Sequence, residues 1–278
     1  MLSVIFLGDA SGYKIGEVQK TKLAAIEAVW KTESAPASFT LFSLPDQKKQ
    51  INNFTIRIPY FLGIAVTRST DRQIIGLKDL MTQHEIRIRN GVKAYSLLQQ
   101  LRSGNADIAV YKEFNKAKHD LGYGLLLNRY TDNITNSSED YIRKATKDSI
   151  PYVAPLYFSF RIMICSGLLM LLLIILCFYT MLYNCIGQYR WLHYIMLYSI
   201  PLPWIAIESG WFIAEYGRQP WIINEILPTA VAHSILTTSE VFLSIVLIGI
   251  IYTLFLIAEI YLMFKFVSLG PSSLKNTN

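Results

Sequence analysis

The sequence predicts an all-α membrane protein in which a helical and loop-rich extracytoplasmic domain precedes three transmembrane helices. The hydrophobic fraction of 52% and the mean hydropathy of +0.32 lie between the values of soluble domains and of polytopic membrane proteins, which indicates two unlike halves. Residues 1–150 are polar and charged after a short apolar start, whereas residues 157–267 are overwhelmingly apolar. A polar domain therefore precedes a membrane region.

The charge pattern does not favour nucleic-acid binding, and the cysteines indicate neither a zinc site nor a disulfide framework. The formal net charge is +6, but the basic residues alternate with acidic ones, whereas a nucleic-acid-binding protein gathers them on one face. The sequence therefore predicts no nucleic-acid partner. The three cysteines lie in or beside the first apolar run without the spacing of a zinc site or a disulfide framework.

The start of the chain, residues 1–8 and 16–31, is interpreted as helical. Residues 1–8 are apolar but much shorter than the roughly 20 residues of a membrane span, so we interpret them as the remnant of a transmembrane helix. Residues 9–150 are assigned to one polar domain. At its start, residues 16–31 carry apolar side chains at near-helical spacing and predict an amphipathic helix.

The rest of the polar domain is predicted as loops and helices. Prolines and polar breaks in residues 35–63 predict an irregular segment. Residues 76–104 predict one or two helices, and residues 107–122 predict a further helix. The Asn-, Ser- and Asp-rich residues 131–140 predict a linker.

Three apolar runs predict the membrane region, at residues 157–183, 191–217 and 240–266. Each is long enough to cross a hydrocarbon core of about 30 Å as a helix. Pro201 and Pro203 predict a kink in the second run. The basic residues of the short connections place the first of them and the tail, residues 267–278, in the cytoplasm. The polar domain is then expected on the periplasmic side.

An ionisable residue inside a membrane span costs free energy and is usually functional. Glu215 is such a residue. Gly217 and Pro220 predict that its helix ends there. The carboxylate then lies at the negative end of the helix dipole and needs a positive partner. Arg218 in a structural ion pair and a bound metal ion are both open interpretations.

Arg161 and Met163, at the start of the first run, also have two interpretations each. Arg161 could extend its charge to the membrane interface, or it could hold a haem propionate. Met163 could be a packing residue, or its thioether could be an axial ligand of a haem iron.

Four stretches of this sequence resemble subunit I of the cytochrome bd quinol oxidases. They are GDASGYKIGEVQKTKLAAIEAVW, SIPYVAPLYFSFRIM, GWFIAEYGRQPW and FKFVSLGPSSLK. The resemblance runs through the whole chain but covers only the C-terminal part of the family protein. It therefore implies that the front half of subunit I is missing.

The resemblance implies roles for residues of two segments. Lys22 and Glu27 match the family's quinol-binding residues in its periplasmic loop. Met163 matches an axial ligand of the low-spin haem b, and Arg161 matches the arginine that stabilises this haem when it is reduced.

For the end of the second apolar run, the resemblance implies that Glu215 is the axial ligand of the high-spin haem b iron. Arg218 would neutralise charge around the haem pair. These two residues are the candidate catalytic residues.

The resemblance also implies cofactors, substrates and partners. The family carries two haems b and one haem d, and it oxidises ubiquinol or menaquinol while reducing dioxygen to water in an electrogenic reaction. Its partners are subunit II, small accessory subunits, membrane lipid and, for this chain, the missing N-terminal part of subunit I. The expected location is the bacterial inner membrane, as a multi-pass protein.

The missing front half leaves two hypotheses open. The family's iron-ligating histidines lie in that half, and none of the four histidines of this chain is assigned to an iron. The chain alone is therefore expected to be inactive. It is either the C-terminal part of a terminal oxidase subunit or a non-catalytic remnant of a truncated oxidase gene.

Overall fold

The computed structural model describes residues 2–35, 38–59, 73–104 and 108–269. These residues are mostly helical, as predicted. They divide into two compact units, Met1–Ala232 and His233–Asn278. The first unit contains the polar domain and two of the apolar runs, and the second unit contains the third.

Two helices, α1 (Leu2–Val18) and α2 (Lys20–Ile26), form the start of the chain. The single amphipathic helix predicted for residues 16–31 is wrong, because the helix is interrupted at Gln19 and ends at Ile26. The interruption separates two environments: α1 is largely exposed, whereas Lys22 to Ile26 are buried.

A β-hairpin follows, made of the antiparallel strands β1 (Phe39–Asp46) and β2 (Ile51–Ile58). The irregular segment predicted for residues 35–63 is therefore wrong over both strands, while residues 36–37 and 60–63 lie outside the described residues. The hairpin is held by Asn52. Its Oδ1 accepts a hydrogen bond from Trp30 Nε1, and its Nδ2 donates to the carbonyl of Ala28, both at 2.8 Å.

The remaining helices of the polar domain are α3 (Leu77–Arg102), α4 (Ile108–Ala117), α5 (Leu121–Leu125) and α6 (Glu139–Asp148). This confirms the helices predicted in residues 76–104 and 107–122. Gly91 of α3 crosses α5 at Gly124 so closely that a Cβ at either glycine would overlap the other backbone. The predicted linker at residues 131–140 is wrong in part, because Ile134 is buried in the core and α6 begins at Glu139.

The apolar half of the first unit contains α7 (Val153–Leu182), α8 (Arg190–Tyr198), α9 (Leu202–Tyr216) and two short strands, β3 (Trp221–Ile223) and β4 (Leu227–Pro228). The predicted span 191–217 is divided between α8 and α9, at the position of the predicted proline kink. The second unit consists mainly of α10 (Thr238–Leu269).

Two segments of the described residues are long and apolar enough to cross a membrane. They are Glu139–Leu182, whose apolar part is α7, and Thr238–Leu269, which is α10. Two of the three predicted spans therefore have the required length and composition. A membrane crossing by α8 and α9 together stays a prediction.

Buried side chains form two cores in the first unit. The first core joins α2, the start of α3, the start of α7 and Ile213 of α9. The second joins α3, α5, α6 and Trp221. Because α7 packs against both α2 and α9, the first core brings together the three helices that carry the predicted site residues.

Candidate functional site

The six predicted site residues lie on or directly beside α2, α7 and α9, and five of them form two groups. One group contains Glu27 and Arg161, and the other contains Lys22, Glu215 and Arg218. Met163 lies on α7, with its Sδ facing Gly210 of α9. Each group combines a residue of the α2 segment, which the resemblance implies in quinol binding, with a residue that it implies in haem binding.

Arg161 is the centre of the first group. Its Nη2 lies 2.8 Å from Glu27 Oε2, its Nη1 donates to the carbonyl of Ile26 at 3.1 Å, and Nη2 also donates to the carbonyl of Thr40. The aromatic ring of Tyr157 lies 4.1 Å from the guanidinium carbon. Arg161 therefore points into the polar domain and joins α7 to α2 and β1.

Glu27 is buried beside this guanidinium, and its side chain is only 2% exposed. Burial raises the pKa of Glu27 to about 7, although the charge and the hydrogen bond of Arg161 both act to lower it. A carboxyl group with a pKa in this range exchanges its proton near neutral pH.

The Nε of Arg161 is buried and finds no hydrogen-bond partner among the described residues. An unsatisfied buried donor costs about 1–3 kcal/mol. A carboxylate that accepted this hydrogen would remove the cost, and a haem propionate is such a carboxylate. The arginine thus fits the haem-binding role.

Met163 is partly buried at the interface of α7 and α9. Its Sδ faces Gly210 of α9, where an added Cβ would lie 3.3 Å from the sulfur. The glycine leaves space beside the thioether, so the geometry allows both packing and ligation. Gly210 precedes Glu215 by five residues, which is about 7.5 Å along the helix.

Glu215 lies in the last turn of α9, which ends at Tyr216 as the sequence predicted. Its Oε2 is paired with Nη2 of Arg218. The side chains are 50% and 36% exposed, respectively. The ion pair that the sequence left open is therefore present, and half of the Glu215 side chain remains exposed.

Lys22 joins α2 to the same end of α9. Its Nζ donates to the carbonyl of Ala214 at 3.2 Å, one of the terminal carbonyls that a helix leaves without an internal partner. Burial lowers the pKa of Lys22, the charge of Arg218 lowers it further, and Glu215 opposes both.

Gly217 is required at this junction because of its close neighbours and not because of its backbone angle. Its φ is −68°, so the left-handed cap for which glycine is usually selected is absent here. A Cβ at this position would lie 2.5 Å from the carbonyl oxygen of Ile213, which is an overlap, and 3.1 Å from Cε of Lys22.

Sequence reasoning missed the buried pair of Glu27 and Arg161, which were assigned to different ligands. One signal was available: Glu27 stands in the apolar run AAIEAVW, and a carboxylate there needs a partner. The contact of Arg161 with Phe39, whose ring centre lies 4.7 Å from the guanidinium carbon, was missed too, since β1 was not predicted.

Comparison with known proteins gives consistent matches along the chain. The sequence profile described as cytochrome bd terminal oxidase subunit I matches residues 1–271. The chain is 44% identical to a cytochrome bd-II ubiquinol oxidase subunit 1 of Escherichia coli, over 99% of this chain and 54% of that protein. It is 24% identical to a cytochrome bd ubiquinol oxidase subunit 1 of Bacillus subtilis, over 97% of this chain and 46% of that protein. The chain thus spans about half the length of these curated relatives.

Proposed function

Because the chain belongs to the cytochrome bd terminal oxidase subunit I family, we propose that it forms the quinol-binding and haem b-binding part of a quinol oxidase that reduces dioxygen to water. One observation carries this proposal. Lys22, which lies in α2, and Glu27, which directly follows α2, contact the segments assigned to the two haems. Glu27 is paired with Arg161 at 2.8 Å, and Lys22 is bonded to the turn of α9 that holds Glu215. Quinol bound at α2 would therefore lie beside the electron acceptors.

The proposed haem ligands fit the residues that surround them. Met163 would hold the iron of the low-spin haem b through its thioether, and Glu215 would hold the iron of the high-spin haem b through its carboxylate. Arg161, with its unsatisfied Nε, would bind a propionate of the first haem. When bound, the haems supply one-electron transfer towards dioxygen. A haem d would take its ligand from the N-terminal part of subunit I.

The residues of the α2 segment would bind quinol and take up its proton. Oxidation of one quinol releases two electrons and two protons. Glu27, whose pKa lies near 7, would accept one proton at its carboxylate as the first quinol hydroxyl loses it, since an acceptor works best when its pKa is near the ambient pH. The second hydroxyl would lose its proton to water on the periplasmic side. Lys22 would orient the other polar end of the ring by a hydrogen bond.

The finer expectations on topology are part of the same proposal. The chain would lie in the bacterial inner membrane with α7, α10 and the broken pair α8–α9 as three spans, and the polar domain would face the periplasm. Its partners would be subunit II, small accessory subunits and the N-terminal part of subunit I. Proton release outside and uptake from inside would make the reaction electrogenic. The chain alone would not turn over.

The test is a reduced-minus-oxidised optical spectrum of membranes that contain this chain, the N-terminal part of subunit I and subunit II. Glu215→Gln should remove the high-spin haem b signal, and Met163→Leu should remove the low-spin signal. Matched controls are Glu208→Gln on α9 and Met170→Leu on α7, which should keep both signals. If both signals survive the two ligand substitutions, the ligand assignment is wrong.

A further inference from the structure

Arg87 of α3 binds two carboxylates from distant parts of the chain. Its Nε donates to Asp120 Oδ1 and its Nη1 donates to Glu225 Oε2, each at 2.7 Å. Asp120 precedes α5, and Glu225 lies in the turn between β3 and β4. Charge-assisted hydrogen bonds of this length are among the stronger polar contacts of proteins. Arg87 therefore joins α3 to the β3–β4 hairpin.

Tyr123 of α5 joins the same hairpin by two further contacts. Its hydroxyl donates to Glu225 Oε1 at 3.3 Å, and its ring centre lies 4.9 Å from that of Trp221. The guanidinium carbon of Arg87 lies 4.1 Å from the same ring. Gly122 makes this packing possible, because a Cβ there would overlap the carbonyl of Glu225. Tyr123 and Trp221 are 1% and 5% exposed, so both side chains are held by close packing.

The hairpin begins directly after the end of α9. The backbone N–H of Trp221 donates to the carbonyl of Arg218 at 2.9 Å, and the side chain of Arg218 is paired with Glu215. Fixing Trp221 therefore fixes the backbone of Arg218. Lys22 holds the end of α9 at Ala214. The backbone is therefore held both before Glu215, at Ala214, and after it, at Arg218.

We propose that Arg87, Tyr123 and Glu225 are positioning residues for Glu215, which set the direction of its carboxylate through Trp221 and Arg218. The inference rests on the proposed role of Glu215 as an iron ligand. The polar domain would then act on the reaction in two ways, because α2 binds quinol while the crossing of α3 and α5 orients a haem ligand.

The test compares Arg87→Gln with Arg89→Gln in the complex of this chain, the N-terminal part of subunit I and subunit II. Arg89 is a matched control, because it also lies on α3 and also bonds to two carboxylates, Glu85 and Glu139, at 2.9 and 2.7 Å. Redox titration followed by optical spectra measures the midpoint potential of each haem b. Hydrogen–deuterium exchange measures protection of the amides in residues 217–225.

Arg87→Gln is expected to shift the midpoint potential of the high-spin haem b and to raise amide exchange in residues 217–225, while the low-spin haem keeps its potential. Arg89→Gln should change none of these quantities. Raised exchange with an unchanged high-spin potential would overturn the inference, because the three residues would then hold the hairpin without orienting the ligand. Equal shifts of both haems would overturn it too.

Two further variants separate the possible failures. Where Arg87→Gln does not accumulate, Glu225→Gln removes the same ion pair with a side chain of the same shape, and Glu225→Asp, which keeps the charge, should shift the potential less. If Glu215→Gln removes the high-spin signal but Glu225→Gln leaves its potential unchanged, only this inference fails. If Glu215→Gln keeps the signal, the proposed function fails first.

Discussion

Two glutamate–arginine pairs in this molecule have the same chemistry and opposite surroundings. In the pair of Glu27 and Arg161 the side chains are 2% and 13% exposed, and the arginine also binds two backbone carbonyls. In the pair of Glu215 and Arg218 they are 50% and 36% exposed, and the residues lie three positions apart at a helix end. The first pair joins three elements, whereas the second joins a helix end to a residue just after it.

The difference indicates what each carboxylate can do. A buried carboxylate with one arginine partner has its pKa raised by burial, which suits the transfer of a proton. A half-exposed carboxylate in a surface ion pair costs little to detach from its arginine, which suits the binding of a metal ion. The proposed proton acceptor and the proposed iron ligand thus differ in environment and not in residue type.

The largest expected effect comes from breaking the buried pair. Arg161→Met would leave Glu27 buried without a cation, and removal of one partner of a buried pair typically costs about 3–5 kcal/mol. Arg218→Met breaks the exposed pair, for which about 0–1 kcal/mol is typical. Thermal unfolding of the purified complex, followed by circular dichroism, should therefore show a much lower Tm for the first variant than for the second. Equal Tm values would mean that the two environments do not differ as described.

The second prediction concerns the pH dependence of stability at Glu27. Its pKa is raised from 4.5 to about 7 in the folded protein. Its contribution to stability is therefore fully present below pH 4.5 and is lost as the pH rises through 7. Glu27→Gln removes this loss, so the stability of the variant should fall less than that of the wild type between these pH values. Urea unfolding of the complex at several pH values measures the difference.

Burial shifts the pKa of His84 in the opposite direction to that of Glu27. His84 is buried, its Nδ1 lies 2.8 Å from Ser149 Oγ, and its ring packs on Tyr123. Burial lowers the pKa of His84 to about 4, Glu225 acts to raise it, and Arg87 lowers it further. Its stabilising contribution is present above pH 6.5 and is lost as the pH falls through 4.

Between pH 4 and 6.5, His84→Asn should therefore make the slope of stability against pH more negative, whereas Glu27→Gln should make it more positive. The same urea titrations serve for both variants. If both substitutions changed the slope in the same direction, the assignment of one of the two groups would be wrong.

The helices of this protein could be predicted from sequence much better than the contacts between them. The 26 residues of α3 and the end of α9 at Tyr216 follow from local spacing and from glycine and proline. The β-hairpin does not follow from local patterns, because Pro45 indicates a break although it lies near the end of β1. The strands depend on Asn52, whose partners lie 22 and 24 residues away.

In the candidate site, too, the contacts between distant segments could not be predicted from the sequence. The resemblance supplied the six residues one by one, and helix-end chemistry supplied the local pair of Glu215 with Arg218. No local pattern could join Glu27 to Arg161, which are 134 residues apart in the chain. Such a pair depends on how α2 and α7 pack, and packing is a property of the complete core.

The smallest expected effect tests whether Met163 is sensitive to its neighbour on α9. Gly210→Ala would place a Cβ 3.3 Å from Met163 Sδ, so the sulfur must move by a few tenths of an ångström. Gly167→Ala on α7 is the matched control, since no described atom lies within 4 Å of the Cβ it would add. In a helix, alanine is favoured over glycine by about 0.5–1 kcal/mol, so the control should slightly raise the Tm, and Gly210→Ala should lose part of this gain. If Met163 is the axial ligand, Gly210→Ala should also shift the absorption band of the low-spin haem b, whereas a packing methionine would leave that band unchanged.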